Sequence, residues 1–513
     1  MTHAARASDG SMHAQQRRFV TALLWISGLA AVRAAFLLVA MEWHVDGVQR
    51  FHVEAAALLF VALSLIARAL SPPRSADAER RPGVLPDAVA VAIALGLALF
   101  LYARALHIGL LSDDWVLVQR VTSRQFGAVS TGLFRPVPLM VWALLLKMGG
   151  GATALHLFNV LVHGVNAYLV YRLVAGWFTD KVVGATAGLL FLATPLATEP
   201  VTWCSGVFDL CALFFCLSTL LIARRVQSSP AAFIGACGCG VVALLCKESA
   251  VVIPGLLVID VTIRRSATRA TAALIVTLTV LSVVYAGARL FLAFGTARPP
   301  VSRYIVQRAL FNTFGALAIP LPATMSHVWL VAVGVLVLGL TANLLLLDRT
   351  VGNFRPLLLA TWSLACVVPV YPILFVSTDL EGSRYLYESM AGWAALLGAM
   401  GLGGSSVRRT FAMSALCLLL VIDVAGGRRQ LQSWESAAAL RDSVQAAARA
   451  NDTMRHCEAV AVDGLPDSVS GAYVLRNGGS ELLQSVGVTV GTAPPRGCRF
   501  SWSPSRRQFI PSE

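Results

Sequence analysis

The sequence predicts an all-α polytopic membrane protein, a multispan helical bundle with a small α+β appendage at its C-terminal end. Hydrophobic residues make up 57% of the 513 residues, charged residues only 13%, and the mean hydropathy is +0.71. Several apolar runs reach the roughly 20 residues that a helix needs to cross a bilayer core of about 30 Å. These runs are continuous and do not alternate with polar residues, so they predict helices and not barrel strands.

The net charge of +14 comes from arginines that cluster in short groups between the apolar runs. Lys and Arg enrichment in cytoplasmic loops sets the orientation of helical membrane proteins, so this pattern favours topology over nucleic-acid binding. The first apolar run follows Arg17 and Arg18 and is long enough to remain a span, so no cleavable signal peptide is expected. Nucleic acid is therefore not an expected partner.

Charge counting predicts about thirteen spans, beginning from a cytoplasmic N-terminus. We expect residues 1–85 to form a tail and a two-span hairpin, residues 86–425 a membrane domain with an outer loop at 107–150, and residues 426–513 a small periplasmic domain. The expected full-length spans are 19–41, 53–70, 86–106, 152–176, 183–200, 205–223, 270–294, 327–347, 356–376, 385–402 and 410–425.

Two segments do not fit a simple span. Residues 231–263 are predicted to form two half-length helices that meet near Lys247 and Glu248, because the arginine pairs flanking the segment should share the cytoplasmic side. The stretch "FRPVPLMVWALLLKM" is too short to span comfortably and predicts an interfacial helix beginning near Pro136.

The tail opens with a helical pattern, "SWESAAALRDSVQAAARAN", followed by the strand-like pieces "EAVAV", "GAYVL" and "GVTVG". Eight of the ten cysteines lie within apolar segments, where reduced and buried thiols are expected. Cys457 and Cys498 lie in the polar tail. They either form a disulfide in an oxidising compartment or remain reduced, and the sequence leaves both alternatives open.

Polar and charged residues near the spans collect on the predicted outer side. Ionisable residues at membrane depth are costly and usually face a protein interior or a cavity. Their placement therefore predicts one polar cavity that opens outward. The residues on this side are Asp113, Asp114, Arg135, His156, Glu199, Asp209, Lys247, Glu248, Asp379, Glu381, Arg384 and Tyr385.

Structural roles compete with functional ones at several of these positions. His156, Asn159, His163 and Asn166 share one helix face, which favours interhelical hydrogen bonding over a metal site. The structural alternative for Glu199 and Asp209 is an ion pair with Lys247 or Arg384. Lys247 and Glu248 could equally form a local pair or belong to a functional site.

The adjacent acids Asp113 and Asp114 and the nearby cations indicate a reaction. Mutual repulsion raises the pKa of one acid and prepares the pair to bind a proton, a hydroxyl or a divalent cation. Arg384, next to two tyrosines, suits bidentate binding of a phosphate. An acceptor hydroxyl would attack a group carried on a lipid phosphate. A carboxylate base contributes about 10²–10⁴-fold, and Arg384 and Lys247 would stabilise the departing phosphate.

Several stretches together resemble the GT-C glycosyltransferases, in the branch of protein O-mannosyltransferases and TMTC proteins with their bacterial relatives. They are "LSDDWVL", "FRPVPLMVWAL", "HLFNVLVHGVNAYLVYRL", "ATPLATEPVTWCSGVFDLCALFF", "LLCKESAVVIPGLLVID" and "SRYLYESMAGWAALL", within about residues 86–402. The chain lacks the tandem helical repeats of TMTC proteins and the β-trefoil insertion of the mannosyltransferases. The resemblance implies inverting transfer of a hexose or pentose from a polyprenyl-phosphate donor on the non-cytoplasmic face.

The resemblance also implies site residues. Asp113 and Asp114 match the family's acidic pair, and Asp113 is favoured as the base by analogy with the mannosyltransferases. The expected substrate- or lipid-phosphate-binding residues are Arg135, His156, Glu199, Asp209, Lys247, Glu248, Arg384, Tyr385 and Tyr387. A divalent cation at the two aspartates is left open, and no other cofactor is expected.

The Ala- and Arg-rich composition is typical of a bacterial gene, which makes undecaprenyl phosphate the expected carrier and the inner membrane the expected location. The acceptor would be a periplasmic protein, a glycan or a lipid.

A membrane transporter or flippase for a lipid-linked or glycan substrate is the alternative. This alternative predicts inverted repeats, and the 231–263 hairpin has no evident partner in the other half of the chain. A relative that has lost activity is a third reading, and retention of Asp113 and Asp114 argues against it.

Overall fold

The computed structural model describes residues 87–125, 134–292, 313–346, 355–371, 373–401, 406–491 and 498–512. Among these residues, five helices are long and apolar enough to cross a membrane, or six if one bent pair counts as a span. The expectation of about thirteen spans is therefore not confirmed. The predicted spans at 19–41 and 53–70 lie outside the described residues.

The membrane part consists of helices that follow the predicted apolar runs closely. The membrane-part helices are α1 (Asp87–Tyr102), α2 (Asp113–Thr122), α3 (Pro136–Lys147), α4 (Gly151–Phe178), α5 (Lys181–Ala193), α6 (Thr198–Thr202), α7 (Val207–Ala223), α8 (Pro230–Cys246), α9 (Ile253–Arg264), α10 (Arg269–Leu292), α11 (His327–Leu346), α12 (Arg355–Ala365) and α13 (Tyr387–Met400). The interfacial helix predicted to begin near Pro136 is α3.

The predicted span at 183–200 is not one straight helix. It bends by 52° between α5 and the segment Pro195–Thr202. Thr194 has an extended conformation, with φ −57° and ψ 132°. The residue before a proline is disfavoured in the α region, and proline cannot donate the next backbone hydrogen bond, so the helix breaks here. The break turns Glu199 into the protein interior, where it is fully buried.

The segment 231–263 forms two short helices, as predicted. Helix α8 ends at Cys246, Lys247 is extended, and a 3₁₀ turn from Glu248 to Val252 leads into α9. Pro254 lies in the first turn of α9, where its missing N–H costs no intrahelical bond. The hairpin therefore presents Lys247 and Glu248 at its tip.

The predicted spans at 356–376 and 385–402 are shorter than expected. Helix α12 ends at Ala365, just before the 3₁₀ turn that holds Pro369. A 3₁₀ turn, Ser383–Leu386, precedes α13, and every residue of α13 is buried. A Cβ on Gly392 would lie 2.6 Å from the Trp362 ring, so this central helix packs closely through its small residues.

One helix, α14 (Ser406–Ala450), runs through the predicted domain boundary at 425/426. The pair Gly426–Gly427 interrupts the apolar pattern without ending the helix. A Cβ on Gly426 would meet Leu321 and Pro195 at 2.6 and 2.8 Å, so the small residue serves packing. The membrane part and the C-terminal domain thus share a continuous helix.

The C-terminal domain is a small α+β unit, as predicted. Its elements are α15 (Asp452–His456), β1 (Ala461–Asp463), β2 (Ser468–Val469), β3 (Ala472–Tyr473), α16 (Gly479–Gln484), β4 (Arg499–Ser503) and β5 (Gln508–Pro511). β4 pairs in parallel with β1 and antiparallel with β5, while β2 and β3 form a hairpin. A disulfide joins Cys457 to Cys498. Strands β4 and β5 were not among the strand-like pieces predicted.

Polar residues on one face of α4 hold the bundle together. Asn159 donates to the carbonyls of Trp203 and Cys204 at 2.9 and 3.1 Å. His163 lies 3.1 Å from the Leu192 carbonyl and 2.8 Å from the Tyr387 hydroxyl. These bonds connect α4 with its neighbours, as interhelical hydrogen bonding predicts.

Candidate active site

The acidic pair lies at the start of α2, where the two carboxylates have different environments. Asp114 is fully buried. Its Oδ1 accepts the backbone N–H and the hydroxyl of Ser205 at 2.8 and 2.5 Å, and its Oδ2 accepts the N–H of Leu111 at 3.0 Å. Asp114 therefore joins the first turn of α2 to the 3₁₀ turn Cys204–Gly206, which precedes α7.

Burial raises the pKa of Asp114 to about 7. The hydrogen bonds from Ser205 and Leu111 act in the opposite direction, and the neighbouring Asp113 adds to the increase. A buried carboxyl favours its neutral form because the ion loses solvation. Asp114 is thus a structural carboxyl that takes up a proton near neutral pH.

Asp113 is only half-buried and is the accessible member of the pair. Its Oδ1 accepts a hydrogen bond from the Asn477 side chain at 2.5 Å and one from the Ser112 hydroxyl at 3.5 Å. Among the described residues, no hydrogen bond to its Oδ2 is present. Asp113 therefore retains one oxygen that can accept a proton.

Glu248 connects two arginines at the same end of the bundle. Arg135 donates to Glu248 through Nε and Nη2 at 2.9 and 2.6 Å, and Arg289 approaches it at 3.0 Å. Arg135 also lies over the ring of Phe208 at 5.2 Å. Arg289 was not among the predicted site residues. Arg289 lies at the end of the long apolar helix α10, away from the predicted cytoplasmic arginines. This position is the feature of the sequence that could have identified it as a site residue.

The buried acids Asp209 and Glu199 form ion pairs with Lys247 and Arg384, the cations predicted as their structural partners. Lys247 forms an ion pair with Asp209, and both side chains are buried. Arg384 Nε lies 3.7 Å from Glu199, which also accepts a bond from Ser383 at 3.3 Å. The local pair between Lys247 and Glu248 does not form, because the extended backbone at Lys247 sends adjacent side chains in different directions.

Arg384 lies among aromatic rings. Its Cζ is 4.4 Å from the ring centre of Trp203, 5.0 Å from Tyr385 and 5.4 Å from Tyr473. The Trp203 indole N–H donates to the Leu111 carbonyl at 3.1 Å. Cation–π contacts of this kind orient a guanidinium while leaving its edge N–H groups available. Trp203 therefore joins the loop of the acidic pair to Arg384.

Two predicted binding residues belong instead to the bundle interior. The Tyr387 hydroxyl contacts His163 at 2.8 Å and accepts from Asn166 at 3.2 Å, and Tyr387 is fully buried. His156 is also fully buried, with Nε2 3.0 Å from the Gly109 carbonyl. Both side chains are therefore bonded inside the protein, Tyr387 to two polar residues of α4 and His156 to the backbone that follows α1.

Three residues at this end of the bundle were missed by the sequence analysis besides Arg289. Glu388 accepts a bond from Ser249 at 2.6 Å, next to the hairpin tip, and follows the R-Y-L-Y stretch directly. Tyr473 and Asn477 come from the C-terminal domain. No local sequence signal places that domain against the acidic loop.

The donor set does not fit a divalent cation at the acidic pair. Both oxygens of Asp114 already accept hydrogen bonds from Ser205 and Leu111. In the part of the chain that the structure describes, no group of three His, Cys, Asp or Glu side chains could hold a metal ion. No chemical step is therefore assigned to a metal.

No protein-family model matches the sequence, and no curated protein matches it. Among solved structures, the chain is similar to the crystal structure of ArnT from Cupriavidus metallidurans bound to undecaprenyl phosphate. The identity is 14% and the TM-score 0.34, over 78% of this chain and 89% of ArnT.

The chain is also similar to the cryo-EM structure of the arabinosyltransferase EmbB from Mycobacterium smegmatis. The identity is 13% and the TM-score 0.31, over 76% of this chain and 45% of EmbB, so the match spans less than half of EmbB. Neither likeness confirms the mannosyltransferase/TMTC branch. Because both TM-scores lie below 0.5, we base no conclusion about activity on either likeness.

Proposed function

We propose that this chain is an inverting membrane glycosyltransferase that moves a sugar from a polyprenyl-phosphate donor to an acceptor hydroxyl, with Asp113 as general base. The observation that carries the proposal is the position of Trp203. Its indole N–H binds the carbonyl of Leu111, two residues before Asp113, and its ring lies against Arg384. An accessible carboxylate and a phosphate-binding cation are thereby held in one rigid unit.

Three guanidinium groups at this end are suited to the donor phosphate. The side chains of Arg135, Arg289 and Arg384 are 17%, 24% and 20% exposed. Each retains edge N–H groups beyond its carboxylate partner, which matches the planar geometry of phosphate recognition. Lys247 is only 5% exposed and is bound to Asp209, so we assign it to holding the hairpin tip.

The proposed reaction needs one proton acceptor and one stabiliser of negative charge. Asp113 Oδ2 takes the acceptor's hydroxyl proton while the acceptor oxygen forms a bond to the anomeric carbon. The bond from that carbon to the phosphate oxygen breaks, and its electron pair stays on the phosphate. Arg384 and its neighbours stabilise this charge, which is typically worth about 10²–10³-fold per donor in such sites. Attack from the face opposite the phosphate inverts the anomeric centre.

The wider assignment follows from the family resemblance of the R-Y-L-Y stretch at Arg384 and of the acidic loop. We propose undecaprenyl phosphate as the carrier, a hexose or pentose as the sugar, and a periplasmic protein, glycan or lipid as the acceptor. The enzyme would lie in the bacterial inner membrane with this end of the bundle facing the periplasm. The mannosyltransferase/TMTC branch is part of the same proposal.

A transporter or flippase is the second candidate, because one specific observation favours it. The segment Lys181–Thr202 is a broken helix, with Glu199 just after the 52° bend. Broken helices that carry charged residues are common at the binding sites of transporters. The two candidates differ in whether the sugar–phosphate bond is cleaved.

The test is turnover of the full-length protein in nanodiscs and in sealed vesicles. Undecaprenyl-phosphate hexoses and pentoses with a labelled sugar are supplied together with a periplasmic extract. We expect label to move to an acceptor with release of an equal amount of undecaprenyl phosphate. Movement of the intact labelled lipid across the vesicle bilayer, without cleavage, would identify a flippase and refute the transferase.

A further inference from the structure

The segment Gly471–Gly478 of the C-terminal domain, here named the strap, lies across the candidate site. At one end, a Cβ on Gly471 would be 2.1 Å from the Asp379 carbonyl oxygen. At the other end, a Cβ on Gly478 would be 2.4 Å from the Ser112 carbonyl oxygen. Both glycines have φ of +80°, a conformation that other residues rarely adopt. The strap thus requires glycine at both of its ends, where its backbone meets the membrane part.

Between these ends, the strap binds the residue that precedes Asp113. The Ser112 N–H donates to the Val474 carbonyl at 2.9 Å, and the Asn477 N–H donates to the Ser112 hydroxyl at 3.3 Å. Ser112 has φ of +48°, which is strained for a residue with a side chain. The strap therefore stabilises the backbone conformation that aims Asp113.

The strap also reaches the Arg384 side of the site. Arg476 forms an ion pair with Glu381 at 2.7 Å, and the ring of Tyr473 lies 5.4 Å from Arg384 Cζ. Tyr473 is buried and contacts Trp203 at 4.8 Å between ring centres. One segment of the C-terminal domain therefore contacts both the loop of the proposed base and the loop of the proposed phosphate ligand.

We propose that Asn477 is a positioning residue for Asp113. Its side-chain N–H holds Oδ1 at 2.5 Å, which orients the carboxylate and leaves Oδ2 to take the acceptor proton. The inference rests on the proposed function and adds to it that the C-terminal domain completes the site. A carboxylate fixed through one oxygen loses rotational freedom, and small displacements of catalytic groups can cost up to about 10²-fold in rate.

The experiment compares Asn477→Ala with Asn451→Ala in the full-length protein, using the labelled donor assay. Asn451 lies in the same domain and caps α15 by accepting the Met454 N–H at 3.0 Å, away from the strap. We expect Asn477→Ala to lower kcat by roughly 10–100-fold, with donor KM within about twofold. Asn451→Ala should keep the parent kcat and donor KM.

A near-isosteric variant covers the case in which Asn477→Ala does not fold. Asn477→Asp replaces the N–H donor with an oxygen and should lose at least as much kcat at pH 8. An unchanged kcat in the Asn477 variants, with Asp113→Asn inactive, would overturn the positioning role and leave the proposed function standing. Full transfer by Asp113→Asn would instead refute the proposed function itself.

Discussion

The indole N–H of Trp203 donates a hydrogen bond to the carbonyl oxygen of Leu111 at 3.1 Å. The bond connects the segment between α6 and α7 to the segment that precedes Asp113, across 92 positions of sequence. Because the same ring lies against Arg384, any movement of Trp203 would change the distance between the proposed base and the proposed phosphate ligand.

Trp203→Phe should therefore reduce transfer, since it keeps a ring but removes the N–H donor. We expect a loss of roughly 10-fold in kcat. The loss in stability should be only about 0.5–1.5 kcal/mol, because the Leu111 carbonyl still accepts the Asp114 N–H at 3.0 Å. Trp393→Phe is the matched control, because the Trp393 N–H has no hydrogen-bond partner among the described residues and Trp393 is buried like Trp203. Equal kcat values for the two variants would show that the Trp203 bond is not used.

Phenylalanine variants of Tyr387 and Tyr385 should differ in their effects, because Tyr387 has a structural role and Tyr385 a role in donor binding. Tyr387→Phe leaves His163 and Asn166 without the buried hydroxyl, so we expect a stability loss of about 1–3 kcal/mol with little change in donor KM. Tyr385→Phe removes a hydroxyl that accepts from Arg384 at 3.2 Å and should raise donor KM instead. Thermal unfolding in detergent and donor titration measure the two effects. A raised donor KM for Tyr387→Phe, together with a loss of stability for Tyr385→Phe, would instead assign Tyr387 to the phosphate site.

Asp114 predicts a specific pH dependence of stability. Its folded-state pKa of about 7 lies above the value of about 4 for an unfolded aspartate, so the folded protein binds more protons between these values. Its contribution to stability is present below pH 4 and is lost as pH rises towards 7. Asp114→Asn should flatten this part of the curve of apparent melting temperature against pH. A parallel curve for parent and variant would contradict the assignment.

The disulfide between Cys457 and Cys498 should stabilise the C-terminal domain and therefore the strap. It closes a loop with a sequence separation of 41, and loss of such a native disulfide costs roughly 2–5 kcal/mol. Cys457→Ser should make residues 451–512 more sensitive to protease, with intact membrane helices. Cys417→Ser, at an exposed free cysteine, is the control and should match the parent. Equal digestion rates for Cys457→Ser and parent would show that the disulfide does not hold the domain.

Local patterns were sufficient for much of the fold. Continuous apolar runs located α4, α7 and α10, and the arginine pairs located the hairpin tip at Lys247. The charge pairs of Asp209 and Glu199 also followed from composition, because a buried acid needs a nearby cation. These features could be predicted because they depend on residues close in sequence or on the need to neutralise a buried charge.

The parts that sequence reasoning missed depend on tertiary packing. Gly426 indicates a break by propensity, yet Leu321 and Pro195 pack against it and α14 continues. Asn477 reaches Asp113 from 364 positions away, which no periodicity encodes. The distinct environments of Asp113 and Asp114 likewise depend on Ser205, in the turn that precedes α7. The residues next to the pair do not indicate which acid is buried.

The most direct test of the central claim compares Asp113→Asn with Asp114→Asn in transfer from a labelled polyprenyl-phosphate sugar. Folded protein is first confirmed by thermal unfolding and by the intact Cys457–Cys498 disulfide. Asp113→Asn should lower kcat by about 10²–10⁴-fold, the range for loss of a general base, with donor KM little changed. Asp114→Asn should retain most of the activity in the fraction that folds. Full transfer by Asp113→Asn would contradict the account.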